Sequence, residues 1–273
     1  MNFGELHDAL VAQGYADEAA YAKIAHDIVL KAVRDSGFHD SLTVKGGVVM
    51  SGITNLARRA TMDMDIDFLH YSLANVSIRK FISELNRVAP CRIRLRGPIQ
   101  ALRQQEYEGK RVYLEMIDDV GFRIDTKVDI GVHARMEVKQ TKFAFRVVTG
   151  AGPVALLVNP MEQMFVEKLK SLLRLGAAST RFKDVFDLYY LSSRVSRSDV
   201  RALLKIYVFD DEQMRENDVA DIEKRLRRIF ASERYMRSLS RPTCAWLDVS
   251  PEEVTAKILS CVAELANATE KMR

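Results

Sequence analysis

Asp63-Met64-Asp65-Ile66-Asp67 places three carboxylates on alternate residues of one short run. In an extended chain alternate side chains share a face, so these acids stand a few ångströms apart. Like charges so close repel unless a cation sits among them. Hard oxygen ligands favour magnesium over zinc. About sixty residues on, 123–132 alternates again, with Ile124, Thr126, Val128 and Ile130 on one face and Asp125, Lys127 and Asp129 on the other. A third carboxylate from a neighbouring strand would complete a site for two metal ions about 4 Å apart, able to bind a triphosphate and activate an attacking hydroxyl. A solvated acidic strand face has the same pattern. Alone it separates neither Asp63 and Asp65 from Asp67 nor Asp129 from Asp125.

Lys45-Gly46-Gly47 lies upstream of the acidic run. A glycine pair before a helix lets backbone amides approach a phosphate, and a helix N-terminus favours an anion. A plain tight turn is the commoner use of such a pair; its place before an acidic strand makes it more informative.

The elements that would hold these groups follow from apolar periodicity. Residues 5–35 read as two helices, the first ended by Gly14 and the second running over about 18–35 before Gly37. A helix follows the two glycines. Residues 62–69 read as a strand with Met62, Met64, Ile66 and Phe68 on its apolar back. Residues 78–88 read as an amphipathic helix. Residues 91–95, 110–117 and 123–132 read as strands, and 143–148 as a further extended stretch. Gly150-Ala151-Gly152-Pro153 is the strongest break, so the expected domains are 1–155 and 156–273. The second reads as all helical: 161–175, 182–191, 200–206, 218–230 and 251–271, the last with Ser250 as N-cap, Pro251 at the first position and Glu253 closing a capping box. The fold class expected is α+β, a mixed-sheet core followed by a helical domain.

Taken together, Lys45-Gly46-Gly47 and Arg58-Arg59-Ala60-Thr61-Met62-Asp63-Met64-Asp65 resemble the first motif of the polymerase-beta-like nucleotidyltransferases, in particular the AbiEii-type abortive-infection toxins. That motif is a glycine pair, a short helix, Arg-x-Ser/Thr-x and then Asp-x-Asp. The fifteen residues between Gly47 and Asp63 put this chain at its long end. Val128-Asp129-Ile130-Gly131 resembles the second motif. Asn159-Pro160-Met161-Glu162, then Glu167-Lys168-Leu169, then Arg181-Phe182-Lys183-Asp184-Val185-Phe186-Asp187-Leu188 resemble the third and fourth. The resemblance spans roughly residues 42–192.

The resemblance selects Asp63, Asp65 and Asp129 as ligands of two magnesium ions, and implies a nucleotidyltransferase that moves a nucleoside monophosphate from an NTP to an acceptor. Lys45, Gly46, Gly47, Arg59, Thr61, Arg181 and Lys183 become the NTP-binding set. Lys168 becomes a stabiliser of the leaving pyrophosphate, and Asp184 a functional carboxylate that orients its neighbours. Asp187 reads as a tie between helices. The helical domain is expected to complete the active-site cleft. In relatives whose antitoxin is a kinase, the residue at the Thr61 position is phosphorylated. The family implies a cognate antitoxin, protein or kinase, and includes enzymes that extend the tRNA 3′ end.

The bulk properties agree. The chain has 273 residues, 48% of them hydrophobic and 29% charged, an ordinary soluble composition. The net charge of +4 permits a nucleic-acid partner. Arg92, Arg94 and Arg96 line one strand face, and seven basic residues crowd 224–241, as phosphate backbones require. Tyr235 and Trp246 could stack a base, though core packing is the commoner role for either. With the family resemblance added, tRNA is the expected acceptor. A protein side chain or an antibiotic is the alternative acceptor, and a catalytically silent binding module the alternative class. Cys91, Cys244 and Cys261 are odd in number and far apart, which points to unpaired thiols. No secretory leader and no stretch of about 18 apolar residues are present, so the expected location is the cytoplasm.

Overall fold

A computed structural model describes residues 1–102, 109–133, 135–150 and 152–267. The chain divides into two compact units, Met1–Asn159 and Pro160–Arg273.

The first unit is built on a mixed seven-stranded sheet. Helix α1 (Phe3–Ala12) is capped by Asn2, whose side chain accepts from the amides of Gly4 and Glu5. Helix α2 (Asp17–Asp35) buries Ile24, Ile28, Val29 and Val33. Then come β1 (Leu42–Lys45), α3 (Gly46–Thr54), a 3₁₀ turn at Ala57–Arg59, β2 (Met64–Phe68) and α4 (Asn75–Val88). The strands β3 (Arg92–Leu102), β4 (Gly109–Ile117), β5 (Arg123–Val132), β6 (Thr141–Phe145) and β7 (Val154–Val158) complete it. Their order is β3-β4-β5-β2-β1-β7-β6. The pairs β2–β5 and β1–β7 are parallel and the rest antiparallel.

The sheet has one apolar face. Met64, Ile66 and Phe68 of β2, Val112, Leu114 and Met116 of β4, and Ile124, Val128 and Ile130 of β5 are all buried. Phe68 meets Phe81 of α4 edge to face at 5.2 Å between centroids. The helices therefore cover that face, and the alternation of each strand turns its acids and cations to the other.

The second unit is helical among its described residues: α5 (Met161–Leu175), α6 (Phe182–Ser192), α7 (Arg197–Leu204), α8 (Val219–Phe230), α9 (Glu233–Leu239) and α10 (Pro251–Asn267). Helix α10 packs on α6 and α8, and α5 on α6 and α7. At the start of α10 the Glu253 amide donates to Ser250 Oγ at 3.1 Å, half of the expected capping box. The end expected for this helix, to residue 271, lies outside the described residues.

Several expectations are corrected. β2 begins at Met64, and Met62, read as part of its apolar back, is 48% exposed. The extended stretch expected at 143–148 is β6 at Thr141–Phe145. β7 was not anticipated: Val-Ala-Leu-Leu-Val is apolar at every position, although its burial alternates, with Val154, Leu156 and Val158 buried and Ala155 exposed. The helix expected over 200–206 is α7 followed by a π-helical stretch at Lys205–Phe209. The segment after α8 holds a separate short helix, α9. Tyr235 and Trp246 are 1% and 2% exposed, which agrees with the core role favoured for both over base stacking.

Candidate active site

Parallel pairing of β2 with β5 sets Asp65 directly beside Asp129. On its other side Asp65 is in register with Lys45 of β1, and Asp129 is in register with Arg111 of β4. One row across four strands therefore reads Lys45, Asp65, Asp129, Arg111. Directly paired residues on one face hold their Cβ atoms about 5 Å apart, so the two central carboxylates crowd each other. Asp63 lies one step outside β2, where Lys127 Nζ reaches its carboxylate at 2.6 Å. Arg111 grips Asp129 with two hydrogen bonds, Nε and Nη2 each donating at 2.7 Å. Lys45 Nζ pairs with the buried Asp67 at 2.7 Å. Asp125, four residues along β5 from Asp129, is exposed and paired with Arg96.

Burial pushes the Asp65 carboxyl up to about 6; Lys45 pulls it down, and Asp129, Asp63 and Asp67 push it further up. Its neighbour is the start of α3. Gly46 has φ +68, and a Cβ there would lie 2.7 Å from Asp65 Oδ2. Any other residue would be strained and would press on the carboxylate. At Gly47 a Cβ would meet the Thr61 hydroxyl at 2.5 Å. The glycine pair therefore lets the amino end of α3 sit against Asp65 and Thr61. Behind it, Arg59 is buried in the 3₁₀ turn.

The donor set fits a divalent cation. It is all hard oxygen, and the repulsion that raises Asp65 is what a cation would relieve. Among the described residues no three acidic, histidine or cysteine side chains already converge as a metal set. Asp63 and Asp129 turn instead to Lys127 and Arg111. Both cations were missed in the sequence. Alternation placed Lys127 on the acidic face, but only the strand register reveals that Arg111 stands opposite Asp129.

In the helical unit, Lys168 of α5 sits between two carboxylates of α6, with Nζ 2.5 Å from Asp184 and 2.8 Å from Asp187. Asp187 is fully buried. Asp184 and Asp187 are three residues apart and share a helix face, which is why one lysine meets both. Arg181 and Lys183 at the start of α6 are exposed.

The chain matches the family model described as nucleotidyl transferase AbiEii toxin, type IV toxin–antitoxin system, over residues 28–243. The chain belongs to this family. The match takes in Lys45 of β1, the carboxylates of β2 and β5 and the Lys168 cluster alike, and it makes the AbiEii chain a nucleotidyl transferase of α+β fold. Membership also carries the expectation of an antitoxin partner, since the family is defined by such systems. No curated protein matches the sequence. No helix among the described residues of this AbiEii member is long and apolar enough to cross a membrane.

Proposed function

We propose that this AbiEii chain transfers a nucleoside monophosphate from an NTP to the 3′ end of tRNA, in the cytoplasm, and that its antitoxin holds this activity in check. The observation that carries the reading is the register of Asp65 beside Asp129, with Asp63 adjacent and the Asp65 carboxyl raised to about 6 in a crowd of like charges next to a helix N-terminus. Such a cluster is destabilising on its own and is retained where it binds something.

Asp63, Asp65 and Asp129 would hold two magnesium ions. Bound there, magnesium supplies charge neutralisation of the triphosphate and a lowered pKa for the acceptor hydroxyl. The chain's own groups do the rest. The amides at Gly46 and Gly47, aided by the α3 dipole, bind phosphate oxygens. Lys45 and Arg59 add positive charge near that turn, and Arg181 and Lys183 offer exposed cations from the helical unit. Lys168, held by Asp184 and Asp187, stabilises the charge that develops on the departing pyrophosphate. Asp129 accepts the proton of the attacking hydroxyl. Thr61, packed against Gly47, is where a phosphate would fill the glycine turn and add about two negative charges beside the carboxylates.

The test is transfer from each α-labelled NTP, with magnesium, onto total tRNA, using Asp63→Ala/Asp65→Ala as control. Label on tRNA that the double variant loses supports the proposal and gives the base preference. Label on protein or on an aminoglycoside instead would move the acceptor to another class, and no label with any acceptor would overturn the activity.

A further inference from the structure

The polar face of the sheet does not stop at Asp129. The strand register carries it on to the β3 edge in parallel rows. Arg96, Tyr113 and Lys127 stand side by side on β3, β4 and β5, and Lys127 is the cation that reaches Asp63. The next row is Arg94, Glu115 and Asp125. Arg92 continues the series along β3. All three arginines are exposed, while Ile93 between them is buried toward α4. Tyr113 is half-buried, flanked by Arg96 and Lys127. The acids of this face are already taken: Asp125 by Arg96, and Glu115 by Arg123 at 3.5 Å. Arg96 and Lys127 beside the ring are thereby paired with Asp125 and Asp63, while Arg92 and Arg94 stand outside these pairs on the β3 edge, so the outer strands present cations next to one aromatic ring and the inner strands present the carboxylates.

We propose that the open face of β3 and β4 is the landing platform for the single-stranded 3′ end of an RNA acceptor. Arg92, Arg94 and Arg96 take its phosphates, Tyr113 stacks a base, and the terminal hydroxyl is directed along the sheet toward Asp129. This rests on the nucleotidyl-transfer reading and adds to it the surface and the strandedness of the acceptor. Arginines two residues apart on a strand recur about every 7 Å, a regular rail for a phosphate backbone. An aromatic ring beside exposed arginines is the arrangement a single strand needs, because stacking is indifferent to sequence and Arg92 and Arg94 meet the flanking phosphates. An acidic protein would use the charges and leave the ring idle. Glu115 and Arg111 are four residues apart on β4, so the Arg94 row lies about 14 Å from the carboxylate row, within reach of a few nucleotides.

The experiment measures binding of a fluorescent single-stranded oligoribonucleotide to the full chain in EDTA without NTP, so that catalysis plays no part. Arg92→Glu/Arg94→Glu should weaken binding at least tenfold and flatten its salt dependence by roughly 1.4 in log–log slope. Arg79→Glu/Lys80→Glu, the same charge change on exposed positions of α4 across the sheet, should change affinity less than threefold. Tyr113→Ala should weaken binding about tenfold with the salt slope unchanged, and Tyr113→Phe should restore it. Equal losses from the β3 and α4 variants would overturn the platform. So would wild-type indifference to RNA, or tighter capture of an acidic peptide than of RNA. A magnesium–NTP melting shift is run alongside: if it persists where RNA binding fails, only the platform is lost, and if it too is absent the transferase reading falls with it.

Discussion

Lys168 meets two carboxylates at 2.5 and 2.8 Å in the helical unit, while Asp65 in the sheet unit has carboxylates as its neighbours and a carboxyl pushed up to about 6. The first cluster is balanced from within. A lysine that is 10% exposed lies against a fully buried acid, so each charge is the other's solvation. The second is unbalanced by construction, because β2–β5 pairing sets acid beside acid and the nearby cations are shared among several carboxylates: Lys127 pairs with Asp63, Arg111 with Asp129, and Lys45 pairs with Asp67 while it also draws the Asp65 carboxyl down. The contrast sets a cluster whose charges satisfy one another, and so hold Lys168 in place, against one whose charges do not, which is why the second is the proposed cation site. Removing a member of the first should destabilise; removing the central member of the second should do the reverse.

The largest effect is expected in the balanced cluster. Lys168→Met leaves Asp187 buried and uncompensated, and should lower unfolding free energy by about 3 kcal/mol in chemical denaturation. Adding Asp187→Leu should recover most of that stability without recovering transfer activity. If Lys168→Met leaves stability unchanged, the cluster is not structural and the comparison breaks there.

Next is the pH dependence of the sheet unit. A carboxyl whose folded pKa is raised binds its proton more tightly in the folded chain, so the stabilisation is present at low pH and is lost as pH rises through the window from about 4 to about 6. Metal-free protein should lose at most about 3 kcal/mol across that window from this group. Asp65→Asn should remove that part of the slope. A slope identical in the variant would assign it to other acids.

The smallest effect is at Arg111. Its guanidinium neutralises Asp129 in the absence of metal. Arg111→Gln should destabilise the metal-free protein by roughly 0.5–1 kcal/mol and, by removing a competitor, tighten magnesium binding in calorimetry. Weaker magnesium binding would instead give Arg111 a part in holding the ligand.

Much of this contrast could be read from residues, but only up to strand register. The alternation of Asp63, Asp65 and Asp67 against Met64, Ile66 and Phe68 exposes the acidic face in any strand, and the same holds around Asp129. What alternation cannot supply is which residue of one strand stands opposite which of the next; that long-range pairing is why Arg111 was missed and why Lys45 was not matched with Asp67. β7 was hidden for another reason: its outward positions are held by Ala155 and Leu157 rather than by polar residues, so its burial alternates while its residue types do not. In the helical unit the motif singled out Lys168 and Asp184, which the fold pairs, whereas the partners that bury the two aromatics, Phe182 and Phe230 for Tyr235 and Tyr190 for Trp246, are tertiary contacts that no local pattern names. The short helix α9 was masked by its own arginines, which read as a charged segment.

The measurement closest to the central claim is thermal unfolding of the wild type and Asp65→Asn at pH 7.5, each with EDTA and with magnesium chloride. Asp65→Asn is expected to melt higher than the wild type in EDTA, because the crowded carboxylate is gone, and magnesium is expected to raise only the wild type. A variant that melts lower in EDTA, or one that gains as much from magnesium as the wild type, would contradict the assignment of Asp65 to a cation site.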